Sequence, residues 1–212
     1  MKEILSKGFE YHASIYSLSS ISSIEKTLDL PHIAFFGASN AGKSSLISNL
    51  CGIKNLSFSS KTPGKTKEII LFTSKHPFFH KKSFLVDFPG YGYAKASNST
   101  LKQWEAIPEF VNQANIKKSY ILIPAQKELL VNDISLINIL QNKQFCVVLT
   151  KCDKSPTDEI SQKQELLRKH LARYPNFTGQ VFLTSTKAMK NMQNTEIIQE
   201  IFDIFKNHIN GI

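Results

Sequence analysis

The chain has 212 residues, of which 42% are hydrophobic and 20% charged, a composition that indicates one folded domain and excludes an intrinsically disordered chain. It has no apolar run near the roughly 20 residues that cross a bilayer and no apolar signal core at its start, which predicts a cytoplasmic protein. Its net charge of +9 favours a polyanionic partner such as RNA, unless the lysines only solvate the surface.

Short apolar runs rich in β-branched and aromatic residues alternate with longer segments of helical character. Strands are predicted at Ile33 to Phe36, Ile69 to Phe72, Phe84 to Val86, Tyr120 to Ile123, Phe145 to Leu149 and Val181 to Leu183. Helices are predicted at Ser44 to Leu50, Leu101 to Gln113, Asp133 to Leu140, Thr157 to Leu171 and Thr195 to His208. This alternation predicts an α/β fold with a mostly parallel sheet, helices on both faces and a ligand site at the carboxyl ends of the strands.

The first predicted strand leads into a Gly-x-x-x-x-Gly-Lys-Ser motif, and a predicted helix follows it. In such a loop the glycines let backbone N–H groups face a phosphate, and the helix N-terminus adds a positive dipole end. Lys43 is expected to neutralise the β and γ oxygens, and Ser44 to bind Mg²⁺. The predicted phosphate contacts are Gly37, Ala38, Ser39, Asn40, Ala41, Gly42, Lys43 and Ser44.

A second motif, Asp-x-x-Gly, ends the predicted strand Phe84 to Val86. Asp87 is expected to orient a water on Mg²⁺, while the N–H of Gly90 reaches the γ-phosphate. Alone the motif is weak, since Asp-Phe-Pro-Gly also forms a good turn. Its position after the phosphate loop makes a nucleotide site the better interpretation, with contacts from Asp87, Phe88, Pro89 and Gly90.

A third motif, Thr150-Lys151-Cys152-Asp153, follows the predicted strand Phe145 to Leu149 and is expected to select the base. The carboxylate of Asp153 can accept from both N1–H and N2–H₂ of guanine, a donor pair that adenine does not present. The stem of Lys151 can lie along the base, and the loop after Val181 to Leu183 can reach guanine O6. The predicted contacts are Thr150, Lys151, Cys152, Asp153, Leu183, Thr184 and Ser185.

These motifs resemble the Ras-like P-loop GTPase domain, and more closely the EngB family of bacterial GTPases. The closer likeness rests on Asn40, on Thr62 to Thr66, on Asp87 to Ala94 and on Trp104, with Tyr91-Gly92-Tyr93-Ala94 the most specific sign. It spans Pro31 to the C-terminal helix, which predicts a GTP-binding domain over residues 31–210 and an N-terminal extension over residues 1–30 packed on it.

The resemblance implies that Thr66 joins Ser44 on Mg²⁺, although the sequence leaves Thr62 as an alternative. It places Gly64, Lys65, Thr66, Lys67 and Glu68 near the nucleotide. Lys43, Thr66 and Gly90 are the expected catalytic residues. This chain departs from the family pattern at two places. Members usually carry Arg where Ala38 stands, and Asp-x-Arg-His where Pro124 to Lys127 stand. These changes bear on the partner surface or on the neighbouring packing.

The resemblance implies a monomeric GTPase that uses Mg²⁺, acts in large ribosomal subunit assembly and is needed for normal cell division. A GTP-gated binding module with negligible hydrolysis is the alternative, and an adenine-using phosphotransferase is disfavoured by Asp153. Tyr91 stands where Ras-like GTPases carry the glutamine that orients water, which predicts slow hydrolysis. Asn40 resembles the asparagine of K⁺-binding GTPases, although it also suits a turn with positive φ.

Overall fold

The computed structural model describes residues 9–51, 68–74, 83–91, 98–140, 142–185 and 195–209, with backbone alone at 51, 98–105, 195, 208 and 209. Within these ranges one seven-stranded sheet has the order β1-β3-β4-β2-β5-β6-β7. The strands are β1 (Phe9–Ile15), β2 (His32–Gly37), β3 (Ile69–Ser74), β4 (Phe84–Asp87), β5 (Ile116–Pro124), β6 (Phe145–Thr150) and β7 (Phe177–Leu183). The five strands from β4 to β7 in this order are parallel, and β3 and β1 add an antiparallel edge.

Helices cover both faces of the sheet, as the sequence predicts. They are α1 (Leu18–Ile21), α2 (Glu25–Leu28), α3 (Lys43–Cys51), α4 (Asn98–Gln113), α5 (Val131–Ile139), α6 (Thr157–Leu171) and α7 (Thr195–Ile209). Side chains of α4, α5 and α6 pack in one hydrophobic core, and those of α3 and α7 pack in the other. The predicted α/β class is confirmed, and so are the six predicted strands and the five predicted helices.

Strand β2 is the central strand of the seven-stranded sheet, between β4 and β5, and belongs to both cores. Ala34 and Phe36 face the α4 side, whereas Ile33 and Phe35 face the α3 side. All four residues are at most 2% exposed, as expected for a parallel strand that is covered on both faces. This burial fixes the strand that carries the phosphate-loop motif.

Strand β1 is the one element of the sheet that the sequence analysis did not predict. Its residues pair with β3 through a register shift between Tyr11 and Ala13, and only Phe9 and Ile15 are buried along it. Residues 9–15 therefore share a sheet with residues of the predicted domain. The division into an extension over residues 1–30 and a domain over residues 31–210 stays a prediction.

A buried polar network joins α7 to the sheet. The ammonium of Lys118 in β5 donates to Glu200 Oε1 at 2.7 Å and to Gln180 Oε1 at 2.6 Å, while the Tyr120 hydroxyl donates to Glu200 Oε2 at 2.5 Å. The Lys118 side chain is 5% exposed and that of Glu200 is 19% exposed. Removing one partner of such a pair leaves the other charge buried without compensation.

We expect Glu200→Ala to lower the free energy of unfolding by about 3–5 kcal/mol, because it strands the Lys118 ammonium in the core. The double variant Lys118→Met/Glu200→Leu should recover much of this loss, since it removes both charges. Urea unfolding at neutral pH measures both values. Lys169→Ala is the control, because its ion pair with Glu165 joins side chains that are 74% and 55% exposed and should change stability by less than about 1 kcal/mol. A Glu200→Ala value no larger than this control would contradict the expectation.

Candidate functional site

The turn between β2 and α3 begins at a glycine that the sheet itself requires. Gly37 has φ +151°, and a Cβ at this position would lie 2.6 Å from the carbonyl oxygen of Leu122 in the neighbouring strand β5. No other residue fits this contact without moving the strand. The first glycine of the motif is therefore needed for packing before any ligand is considered.

Two further residues with positive φ curl the loop. Asn40 has φ 62° and Gly42 has φ 100°, and α3 begins at the next residue, Lys43. Such a curl, followed by the N-terminus of a nine-residue helix, forms the concave arrangement that binds phosphate oxygens. The left-handed conformation of Asn40 confirms that it is a turn residue with positive φ, while its role in K⁺ binding stays a prediction.

Lys43 lies across this loop. Its ammonium donates to the carbonyl oxygen of Gly37 at 2.8 Å and to that of Ala38 at 3.3 Å. The residue is 7% exposed, and burial lowers the pKa of its ammonium, an effect that the nearby carboxylate of Asp87 opposes. A cation is thus held over the position where phosphate oxygens would lie.

Ser44 and Asp87 meet at the start of α3. The Ser44 hydroxyl donates to Asp87 Oδ2 at 3.1 Å, while Oδ1 of the same buried carboxylate has no hydrogen-bond partner among the described residues. Burial raises the pKa of Asp87 to about 6, and Lys43 and Ser44 act in the opposite direction. A hydroxyl beside an unsatisfied carboxylate oxygen fits a hydrated Mg²⁺, since that ion takes oxygen ligands and keeps several of its waters.

The Asp-x-x-Gly motif packs directly on the phosphate loop. The N–H of Phe88 donates to the carbonyl of Phe35 at 3.1 Å, and the N–H of Ser39 donates to the carbonyl of Tyr91 at 2.8 Å. A Cβ on Gly90 would lie 2.8 Å from the Cα of Ser39. The structure therefore brings Asp87, Phe88, Pro89 and Gly90 against the loop that the sequence predicts to bind phosphate.

The predicted base loop is tied to the same phosphate loop. The hydroxyl of Thr150 donates to the carbonyl of Ala41 at 2.7 Å, and the ammonium of Lys151 donates to the carbonyl of Asn40 at 2.6 Å. Lys151 has φ 57°, a left-handed conformation that turns the chain sharply at the end of β6. Asp153 follows in the 3₁₀ turn Cys152–Lys154 and is exposed, whereas Cys152 is buried.

The loop after β7 completes this side of the site. The N–H of Cys152 donates to the carbonyl of Thr184 at 3.1 Å, and the N–H of Thr184 donates to the carbonyl of Leu149 at 2.8 Å. A cavity of about 480 Å³ lies between the loops. Its lining consists of Asn40, Gly42, Ser45, Leu46, Thr150, Lys151, Thr184 and Ser185. Two residues predicted for the phosphates and four predicted for the base thus border one cavity, whereas Asp153 is not part of its lining.

Part of the predicted site belongs to the segment between α3 and β3. Gly64, Lys65, Thr66 and Lys67 lie outside the described residues, as does the alternative metal ligand Thr62. Glu68 is described and lies beside Tyr16, whose pKa the Glu68 carboxylate raises. The roles given to these residues stay predictions.

Two supporting residues were missed by the sequence analysis. Gln126 lies in the segment that departs from the family pattern, and its amide donates to the carbonyl of Lys151 at 3.1 Å and to the Ser155 hydroxyl at 2.9 Å. Asp133 accepts a hydrogen bond from the Tyr91 hydroxyl. Gln126 follows β5, so the rule that parallel strands end at one edge could have placed it beside the base loop. Its contacts place the departing segment directly against the base loop.

Comparisons with known proteins agree with this geometry. A family model described as "50S ribosome-binding GTPase" matches residues 32–151. Three similar relatives are each called "Probable GTP-binding protein EngB". The relative from Bradyrhizobium diazoefficiens is 38% identical and the alignment covers 78% of this chain and 76% of that protein. The relative from Cytophaga hutchinsonii is 34% identical, over 83% of this chain and 87% of that protein. The relative from Clostridium perfringens is 32% identical, over 82% of this chain and 86% of that protein.

Solved structures show the same fold at lower identity. Aquifex aeolicus Era bound to GDP and AlF₄⁻ has a TM-score of 0.63 at 24% identity over 82% of this chain and 56% of that chain. A bacterial selenocysteine-specific elongation factor has a TM-score of 0.59 at 17% identity over 87% of this chain and 29% of that one. This chain thus spans about half or less of those larger proteins. By its family model and its relatives, the chain belongs to the EngB family of GTP-binding proteins and, with it, to the GTPases.

Proposed function

We propose that this GTPase binds GTP with Mg²⁺, hydrolyses it slowly and acts as a switch in large ribosomal subunit assembly, through which it supports normal cell division. The observation that carries the nucleotide part is the meeting of three chain segments at one edge of the sheet. Lys43 lies within the loop Gly37 to Ser44 and bonds the carbonyl of Gly37, while Asp87 at the end of β4 and Lys151 just after β6 bond the same loop at Ser44 and Asn40. A nucleotide needs these three kinds of contact together.

In this proposal the phosphates lie over the curl between Gly37 and Ser44. Backbone N–H groups and the N-terminus of α3 bind the β-phosphate, and Lys43 neutralises the β and γ oxygens. Ser44 and Thr66 would hold Mg²⁺, and Asp87 would orient one of its waters. When bound, the ion neutralises charge that develops on the phosphates. The residues that contact guanine are Asp153 through its carboxylate, Lys151 through its stem, and Leu183, Thr184 and Ser185 through their loop.

Slow hydrolysis follows from the position of Tyr91. Its side chain is 3% exposed, and its hydroxyl donates to Asp133 inside the protein, so it does not replace the water-orienting glutamine of Ras-like enzymes. Catalysis then depends on Lys43, on Thr66 and on the N–H of Gly90. The same observation favours the alternative, a GTP-gated binding module with negligible hydrolysis. Single-turnover GTP cleavage with and without large-subunit precursors separates the two, since only the switch hydrolyses faster with its partner.

The ribosomal partner is supported by the charge of the chain and by the family. The matching family model is described as ribosome-binding, and the chain carries +9. Residues 52–67, which connect α3 to the start of β3, contain four lysines and no acidic residue: Lys54, Lys61, Lys65 and Lys67. These lysines lie close in sequence to Thr66, the predicted Mg²⁺ ligand, so an RNA that binds them would contact the same segment that the nucleotide does.

A monomer in the cytoplasm is the proposed state. Among the helices in the described ranges, none combines the length and apolar character needed to cross a membrane. A ribosomal partner would be met in the cytoplasm, and the nucleotide contacts proposed above all come from one chain.

We expect Asp153→Asn to weaken GTP binding at least about a hundredfold and to shift preference towards xanthine nucleotides, because the amide replaces one acceptor with a donor. Titration with guanosine and xanthosine triphosphates measures the change. Asp158→Asn is the matched control, since Asp158 is an exposed aspartate in the first turn of α6. An unchanged guanine preference in Asp153→Asn would contradict the base assignment.

We expect salt-sensitive co-sedimentation with large-subunit particles that is stronger with a non-hydrolysable GTP analogue than with GDP. Asp153→Asn supplies a sharp control, because it should pellet with the xanthosine analogue and not with the guanosine one. Equal pelleting with GDP, or no pelleting at low salt, would count against the switch.

We expect GTP turnover to be slow in NaCl and several-fold faster in KCl at matched ionic strength, because K⁺ beside Asn40 would supply the charge that an arginine finger supplies elsewhere. Asn40→Gly should abolish the difference while keeping the turn, since glycine tolerates the φ of 62° and lacks the amide oxygen. Steady-state phosphate release measures both. Identical rates of the unmodified protein in the two salts would remove the K⁺ proposal.

A further inference from the structure

Tyr91 follows the Asp-x-x-Gly motif, and its side chain is directed into the protein. It belongs to the hydrophobic core on the α4 side of the sheet, which also holds Phe88 and Leu136. Its hydroxyl donates to Oδ1 of Asp133, which is itself only 3% exposed. Burial, and then Asp133, raise the pKa of the Tyr91 hydroxyl, which therefore remains a donor at any physiological pH.

Asp133 is fixed independently of Tyr91. Its second oxygen, Oδ2, accepts from the N–H of Leu130 at 2.6 Å, where α5 begins. This bond uses one of the N–H groups that a helix start leaves without a partner. The carboxylate therefore joins Tyr91 to a rigid element of the fold.

The backbone of Tyr91 contacts the phosphate loop at the same time. Its carbonyl accepts from the N–H of Ser39 at 2.8 Å, and it forms a parallel bridge with Ala38. Gly90 directly precedes Tyr91 and lies so close to Ser39 that a Cβ on it would come within 2.9 Å of the Ser39 nitrogen. Any movement of Tyr91 changes the spacing between Gly90 and the phosphate loop.

We propose that Tyr91 is a positioning residue that, through Asp133, holds the N–H of Gly90 at a fixed distance from the phosphate loop and so sets the affinity for GTP relative to that for GDP. The inference rests on the proposed function, in which Gly90 contacts the γ-phosphate. Only GTP has that phosphate, so loosening Gly90 affects GTP and leaves GDP unchanged. A tyrosine at this position therefore does not orient the attacking water; it keeps the contact of Gly90 with the γ-phosphate rigid instead.

The test compares Tyr91→Phe with a matched control. Both Tyr91 and Tyr120 are buried and donate to a carboxylate, but Tyr120 bonds Glu200 in the core on the α3 side of the sheet. We expect Tyr91→Phe to weaken binding of a non-hydrolysable GTP analogue with Mg²⁺ roughly fivefold to tenfold, which is within the net range for losing one hydrogen bond. The affinity of Tyr91→Phe for GDP should stay within about twofold of that of the unmodified protein. The same should hold for the affinities of Tyr120→Phe for the GTP analogue and for GDP.

A double-mutant cycle identifies the route. Asp133→Ser shortens the side chain and leaves one oxygen where the carboxylate offers a separate oxygen to Tyr91 and to Leu130, so it should give the same selective loss for the GTP analogue. If the two residues act through one hydrogen bond, the double variant loses no more than either single variant. Asp133→Ser also carries the test if Tyr91→Phe does not fold.

Several outcomes would overturn the inference. An unchanged ratio of GTP-analogue to GDP affinity in Tyr91→Phe would do so, as would an equal loss for both nucleotides or an equal shift of the ratio in Tyr120→Phe. If neither site variant folds, the link is structural and the inference fails. If the unmodified protein binds neither guanine nucleotide with Mg²⁺, the proposed function itself fails, a result distinct from all of these.

Discussion

The site depends on the pairing register of β2 with its two parallel neighbours. Phe35 lies opposite Asp87 in β4, and Gly37 lies opposite Leu122 in β5. Through the first pairing, the carboxylate of Asp87 reaches Ser44 at the end of the loop. Through the second, only glycine fits at residue 37. A slip of one residue would turn every side chain of β2 to the opposite core, so the hydrophobic pattern that stabilises the sheet also fixes the site.

The loops at this edge are joined by hydrogen bonds of the protein itself. Lys43 bonds the carbonyl of Gly37, Thr150 bonds that of Ala41, and Lys151 bonds that of Asn40. Each of these three bonds uses a carbonyl oxygen of the phosphate loop and none of its N–H groups; the N–H groups of Ser39 and Ala41 bond the carbonyls of Tyr91 and Ala38. A ligand that meets an arrangement already in place loses less affinity to ordering the protein. The described half of the site is therefore pre-formed.

Much of the fold and the phosphate and base loops could be predicted, because periodic apolar runs and short motifs encode them locally. The edge strand β1 could not be, since the register shift at Tyr11 and Ala13 interrupts the alternation that identifies a half-buried strand. The partnership of Tyr91 with Asp133 was also beyond the sequence, because it joins residues 42 positions apart through a side-chain contact. Gln126 needed the order of the strands before its amide could be placed behind Lys151.

The place of β1 in the sheet has a consequence for how the chain matures during its own synthesis. Among the described strands β1 pairs only with β3, which is made after the phosphate loop and α3. Its first residue, Phe9, packs against Phe205 of α7, with ring centroids 6.2 Å apart, and α7 is the last described helix. The core on the α3 side thus stays open while the chain emerges, and it closes only when translation of α7 is complete. Until then the nascent protein exposes apolar surface that chaperones recognise, and a chain shortened at either end would expose the same core.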